Sequence, residues 1–228
     1  VTEAICTHFE EDKGNQGPMI VGHDTRFLGE RFAAECADVI STHGFRSLLC
    51  TQPIPTPTLS HAIRTQNAVC GINFTASHNP PEYNGMKLST RDGAPALPEI
   101  TKRVEALISE NAAPKSNGSA PPTRGAIEPH LPRLAYLADL QDKVRFDVIA
   151  KAGGRYAYDP LWGTGRGYLD EALRARGLEV ETIHDWRDVL FGGRSPEPEA
   201  SHLEELREVV LAKGCTLGLS TDGDGDRF

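Results

Sequence analysis

Three aspartates at alternate positions, Asp222, Asp224 and Asp226, carry the densest charge in the chain. Carboxylates this close repel one another unless a cation lies among them. Gly223 and Gly225 separate them, and glycine accepts the positive φ that a backbone curled around an ion requires. Oxygen-only ligation suits a hard cation such as Mg2+ or Ca2+, with positions left for water or a phosphate oxygen. A solvated acidic turn is the plainer alternative, disfavoured by this much charge in one place. The second chemical stretch is Thr75-Ala76-Ser77-His78-Asn79-Pro80-Pro81-Glu82-Tyr83-Asn84-Gly85-Met86-Lys87. It gathers a hydroxyl, an imidazole and an amide in one loop and ends on a lysine after an Asn-Gly turn. Ser77 is the candidate nucleophile or phosphate carrier, and a serine needs a base or a metal to act. Taken alone, Ser77 would read as a loop serine capping a turn, and Lys87 as a solvated strand residue.

Other chemistries fit these residues less well. An EF-hand needs glycine where Arg227 stands, and its twelfth-position ligand lies beyond Phe228. A phosphatase of the haloacid-dehalogenase type expects Thr or Val where Asp226 stands. Ser77 lacks the Gly-x-Ser-x-Gly elbow of serine hydrolases. Gly163-Thr164-Gly165-Arg166-Gly167 lacks the Walker Lys-Ser/Thr and a correctly spaced dinucleotide fingerprint, so it reads as a tight strand-to-helix turn. Gly22-His23-Asp24-Thr25-Arg26 follows a further strand, where Asp24 either orients Arg26 or caps the next helix.

Both chemical stretches need elements to position them. Val69 to Phe74 leads into the Ser77 loop and Thr216 to Leu219 leads into Asp222; both are short apolar runs that read as buried strands. Met19 to Val21, Ser47 to Cys50, Met86 to Ser89, Ala157 to Asp159 and Leu178 to Ile183 read the same way. Helical spacing covers Val1 to Glu11, Gly29 to His43, Pro57 to Gln66, Pro98 to Asn111, Arg133 to Val144, Gly167 to Arg176 and His202 to Lys213. Pro196-Glu197-Pro198 is rigid and extended. Strand-helix alternation predicts an α/β protein, with two consecutive α/β/α layered domains and mixed, mostly parallel sheets. Residues 112–132, rich in Pro, Ser, Gly and Asn, read as a linker between a domain over 1–111 and a second over 133–228.

The 228 residues are 39% hydrophobic and 25% charged, as in a soluble globular protein. No apolar run approaches a membrane span, and the N-terminal stretch does not resemble a signal peptide. The formal charge of −8 argues against nucleic acid as the main partner, while leaving room for a small phosphorylated substrate held by local basic groups. The five cysteines, Cys6, Cys36, Cys50, Cys70 and Cys215, are scattered and odd in number. They read as reduced thiols in a cytoplasmic protein rather than as disulfides or a zinc site.

The long serine motif followed far downstream by Asp-Gly-Asp-Gly-Asp-Arg resembles the α-D-phosphohexomutase family of phosphoglucomutases and phosphomannomutases. Val21-Gly22-x-Asp24-x-Arg26 and Pro196-x-Pro198 resemble it at the corresponding places. The resemblance implies that Ser77 carries a phosphoryl group and that Asp222, Asp224 and Asp226 bind Mg2+ together with a phosphoserine oxygen. It implies that Arg227 and His78 line the phosphoryl site. Lys87 would be a general acid/base of lowered pKa, and Arg26 and Asn79 would contact substrate or phosphate. The implied reaction interconverts hexose 1-phosphate and hexose 6-phosphate through a hexose 1,6-bisphosphate. Thr75-Ala76-Ser77 and Pro81-Glu82-Tyr83 look more like glucose and mannose members than glucosamine members. Family members are typically longer, four-domain chains. The chain is therefore expected to hold the phosphoserine and metal parts of a site, truncated at both ends, without the sugar-recognition and phosphate-binding loops of the later domains, and to turn over poorly alone. A catalytically inert binding or regulatory module that keeps the fold is the alternative.

Overall fold

The computed structural model describes residues 1–11, 17–111 and 123–228. The first layer begins with α1 (Thr2–Glu10), β1 (Met19–His23), α2 (Gly29–Thr42), β2 (Ser47–Cys50), α3 (Thr56–Thr65), β3 (Cys70–Phe74), β4 (Met86–Ser89) and α4 (Pro98–Asn111), and is completed by β5 (Ile127–His130). The strands form one sheet in the order β4-β3-β1-β2-β5. All neighbours are parallel except β3 and β4, which pair antiparallel with Asn73 opposite Lys87. Strand side chains alternate between faces. Accordingly Met19 and Val21 of β1 pack against Ile5 of α1, Ile40 of α2 and Leu107 of α4. Ile20, between them, packs on the other face against Leu59 and Ile63 of α3.

The second layer contains α5 (Arg133–Lys143), α6 (Phe146–Ala152), β6 (Arg155–Asp159), α7 (Leu169–Arg174), β7 (Glu179–Thr182), α8 (Glu204–Lys213) and β8 (Leu217–Ser220). Its sheet is parallel, in the order β7-β6-β8. Phe146, Ala172, Leu173 and Leu178 form its core. The chain is thus α/β, with a mixed sheet followed by a parallel one. No described helix is long and apolar enough to cross a membrane. All five cysteines are free, and four of them are buried.

Two stretches differ from the expectation. Residues 127–130, assigned above to a linker, are the edge strand β5 of the first sheet. An edge strand is half solvated, so it lacks the apolar run that marks a buried strand, and it tolerates Pro129, which has no N–H to donate. Residues 112–122 of that linker lie outside the described residues. The helix expected from Gly167 begins instead at Leu169, because Gly167 takes a φ of +73°.

Arg26, the C-terminal member of the Gly22–Arg26 stretch, is fully buried. Its Nε donates to Asp24 Oδ2 at 3.0 Å. Its Nη1 donates to the carbonyls of Pro80 (2.7 Å) and Tyr83 (2.9 Å), and its Nη2 to those of Ser77 (2.9 Å) and Asn79 (2.6 Å). All five guanidinium N–H groups are used. Arg26 therefore has no donor left for substrate or phosphate: it is the clasp of the Ser77 loop, which corrects the role expected from the resemblance. Asp24 accordingly orients Arg26, and it also accepts from the Arg26 backbone N–H at 2.9 Å and from Thr75 Oγ1 at 2.7 Å.

Replacing Arg26 by Lys keeps the charge but not the planar fork. Breaking a buried charged network of this kind costs about 3–5 kcal/mol. Urea unfolding of Arg26→Lys is expected to show a loss of about 3 kcal/mol or more, whereas a loss under about 1 kcal/mol would contradict the clasp. A second prediction concerns pH. His43, at the end of α2, meets Glu3 through Nε2 and Glu10 through Nδ1, each at 2.6 Å. Burial pulls its pKa down, but the hydrogen bonds to Glu10 and Glu3 outweigh this and raise it. A folded-state pKa above the unfolded one gives stability that is full below about 6.5 and is lost as pH rises through the raised value. The stability gap between the protein and His43→Gln should therefore close with rising pH in unfolding curves; a gap constant across that range contradicts the assignment.

Candidate active site

The Ser77 loop leaves the C-terminal end of β3, and the aspartate loop leaves the C-terminal end of β8. This is where open α/β sheets place their ligands. Ser77 is a non-glycine residue at φ +56°, a conformation that costs about 1–3 kcal/mol and persists where the surroundings enforce it. Three contacts enforce it here: the Arg26 bond to its carbonyl, the donation of its N–H to Thr75 Oγ1 at 2.9 Å, and close packing against the aspartate loop. A Cβ on Gly223 would lie 2.7 Å from the Ser77 carbonyl oxygen. Glycine at that position is thus what lets the two loops touch.

Ser77 Oγ donates to Asp222 Oδ2 at 3.2 Å and accepts from Arg227 Nη2 at 3.3 Å. The same Arg227 nitrogen meets His78 Nδ1. Lys87 Nζ reaches Asp224 Oδ2 at 2.7 Å and Asp226 Oδ2 at 2.9 Å. Ser77, His78, Lys87, Asp222, Asp224, Asp226 and Arg227, drawn from both layers, therefore meet at one point. Arg26 lies beneath the loop as its clasp. Asn79 contributes its carbonyl to that clasp, and its side chain lies on the exposed surface of the loop.

One oxygen from each aspartate lies within 4.8 Å of the others. Asp222 and Asp224 are fully buried. Burial, then the charges of Asp224 and Asp226, push Asp222 up to about 7. For Asp224 burial pulls the same way, but the Lys87 charge and hydrogen bond outweigh it and hold the carboxyl below the usual range. Asp224 Oδ1 is buried with no hydrogen-bond partner among the described residues. An orphaned carboxylate oxygen beside two further carboxylates fits a hard divalent cation, and the Lys87 ammonium is the positive charge that stands beside it here. Lys87 departs from expectation. Burial lowers its pKa, but the Asp224 charge and the hydrogen bonds to Asp224 and Asp226 raise it. While so paired it holds its proton more tightly than a free lysine, the opposite of the lowered pKa expected of a base at neutral pH.

Two residues of the site were not singled out by sequence reasoning. Thr56 donates to Asp224 Oδ2 at 2.6 Å, and its N–H donates to the Asp224 carbonyl at 2.8 Å. Glu197 lies 3.4 Å from Arg227 Nη1 and 3.7 Å from His78 Nε2. Each stands between two prolines, in Pro55-Thr56-Pro57 and Pro196-Glu197-Pro198. A polar side chain pinned in a proline-restrained backbone was the available signal.

Comparison with known proteins agrees with this geometry. The family model described as phosphoglucomutase/phosphomannomutase, alpha/beta/alpha domain I, matches residues 1–115, and the model for domain II matches residues 134–228. A phosphoglucosamine mutase of Clostridium novyi is 31% identical over 218 residues, covering 94% of this chain and 47% of its own. A phosphoglucomutase/phosphomannomutase of Thermococcus kodakarensis is 30% identical over 216 residues, with 94% and 46% covered. The crystal structure of a Thermus thermophilus protein provisionally named phosphomannomutase superposes with a TM-score of 0.87 at 34% identity, covering 99% of this chain and 50% of that one. The chain spans about half the length of the curated relatives it matches. With a serine loop on the layer that matches domain I, and an aspartate loop on the layer that matches domain II, the chain belongs to the phosphoglucomutase/phosphomannomutase family.

Proposed function

We propose that this chain carries the phosphoryl-transfer half of a phosphohexomutase, with Ser77 as the phosphoryl carrier and Asp222, Asp224 and Asp226 as the ligands of Mg2+. The observation that carries the reading is the placement of Ser77 Oγ between Asp222 Oδ2 and Arg227 Nη2, across residues 145 and 150 apart in sequence. A phosphoserine bears about −1.5 to −2 charge, and Arg227 and His78 stand where that charge would lie. Mg2+ at the aspartates would supply Lewis-acid neutralisation of the phosphoryl group. Catalysis is then mainly alignment and electrostatics: the clasped loop fixes Ser77, and Thr56 and Glu197 fix Asp224 and Arg227.

In the proposed reaction a hydroxyl oxygen of a hexose phosphate attacks the phosphorus of phosphoserine. The bond from phosphorus to Ser77 Oγ breaks and the hydroxyl proton passes to a base. The resulting hexose 1,6-bisphosphate returns its other phosphoryl group to Ser77 by the reverse route. Lys87 is the proposed acid/base, and must first leave Asp224 and Asp226 to serve. The named relatives include glucosamine as well as glucose and mannose mutases. The substrate is therefore proposed as a hexose phosphate, and the lean towards glucose and mannose is not carried forward. A cytoplasmic location is proposed on the free cysteines.

The test is intact mass after incubation with glucose 1,6-bisphosphate and Mg2+. One phosphate should be added to the protein and none to Ser77→Ala. Equal labelling of Ser77→Ala would remove Ser77 from the role. No labelling, either here or in a chain extended to the length of the relatives, would favour the inert binding module.

A further inference from the structure

A second cleft, of about 380 Å3, lies between the layers; Gln52, Ile54, Arg133, Thr164, Arg166 and Tyr168 are among its lining residues. Neither Ser77 nor any of the three aspartates lines it. Among the described residues its charged lining is two arginines, with no carboxylate, in a chain of net charge −8. Arg133 is already engaged: its Nε donates to the Gly167 carbonyl at 2.9 Å and its Nη2 meets Glu171. Arg166 has no hydrogen-bond or ion-pair partner among the described residues, although it is partly buried; the charge of Arg187 and the opposing charge of Asp185 both reach it. Thr164 is 2% exposed, and its Oγ1 has no partner among the described residues. The exposed amide of Gln52 completes the polar lining from the first layer.

A half-buried guanidinium whose donors have no protein partner among the described residues is unfavourable until an acceptor takes them. Its planar fork of donors matches the oxygens of a phosphate, and the exposed Gln52 amide on the same cleft offers a further donor to such a ligand. A cleft of 380 Å3 has room for a phosphate and an attached sugar. We infer that the cleft between Gln52 and Arg166 is a second phosphate-binding site, for a phosphate dianion that is either free or the end of a sugar phosphate. A ligand there joins Gln52 of one layer to Arg166 of the other. It also sits against Thr164, whose N–H donates to the Gly223 carbonyl of the aspartate loop at 3.0 Å. By mass action it stabilises the packing of the two layers on which the serine site depends.

The test measures reversible binding to the 228-residue chain without divalent metal, at fixed ionic strength, by calorimetric titration and thermal unfolding. Inorganic phosphate, glucose 6-phosphate and acetate are the probes. Arg166→Gln should weaken phosphate binding about tenfold or more, the scale of a lost charged hydrogen bond, and should abolish the phosphate-induced rise in Tm. Arg166→Lys should fall between the two, and its native unfolding curve guards against a folding defect. The double variant Ser77→Ala, Arg227→Gln, which disables the other phosphate contact, should bind as the parent does. Tighter binding of glucose 6-phosphate than of phosphate identifies the sugar phosphate as the ligand; equal binding identifies the phosphate alone. The inference is overturned if Arg166→Gln binds as the parent does, if the parent binds neither phosphate probe, if binding is lost in the double variant alone, or if acetate binds as well as phosphate. Because no covalent labelling is read, this outcome is independent of the Ser77 test.

Discussion

Two carboxylates stripped of water and a third half-exposed meet where the two layers join, and the surrounding structure answers that charge. Desolvated carboxylates are costly unless each is paired or bonded. Asp224 takes Lys87 and Thr56 from the first layer, and Asp222 takes the Ser77 hydroxyl and the backbone N–H groups of Asp226 and Arg227. Among the described residues Asp224 Oδ1 has no partner, and burial, with the charges of Asp224 and Asp226, pushes the Asp222 carboxyl up to about 7. A divalent cation, as proposed above, would complete what the protein's own groups leave unfinished. The same charge holds the layers together, since its partners come from both.

That arrangement requires the serine loop to be rigid. Arg26 supplies the rigidity by tying four carbonyls of the loop to one buried guanidinium, while Phe191 of the second layer lies 5.0 Å from it, ring centre to guanidinium carbon. Arg187, also of the second layer, donates to the carbonyls of Thr25 (3.1 Å) and Arg26 (3.2 Å). The loop that presents Ser77 is thereby fixed by residues of the layer that presents the aspartates. A left-handed serine is tolerated because it is held on every side. Preorganisation of this sort suits phosphoryl transfer, where the protein contributes geometry and charge more than covalent chemistry.

Much of this was legible in the sequence, and the exceptions have physical causes. Strand-length apolar runs located β1, β2 and β3, because strands buried on both faces leave that signature. β8 is an edge strand and largely solvated, yet Leu217 and Leu219 marked it; β5, Ile127-Glu128-Pro129-His130, has no apolar run to show. α6 was not anticipated, since its seven residues offer too few turns for a periodicity to show. The Asp222–Asp226 cluster and Ser77 declared themselves by residue type and spacing. Arg26 misled, because a guanidinium after a strand suits a phosphate and a set of carbonyls equally well; only burial and the saturation of its donors decide between them. Lys87 misled for a related reason: its titration depends on Asp224 and Asp226, distant in sequence and adjacent in space. Thr56 and Glu197 were invisible as chemistry because their roles lie in what they touch.

The proposed role of the aspartate loop, facing Ser77, is to hold one divalent cation. Bound Mn2+, counted by electron paramagnetic resonance as a reporter for Mg2+, reads that role without any turnover. One tightly bound ion per chain is expected, competed by Mg2+, with its loss in Asp224→Asn and in the triple change of Asp222, Asp224 and Asp226 to Asn. Binding that persists undiminished in the triple variant, or no binding in the parent chain, would contradict it.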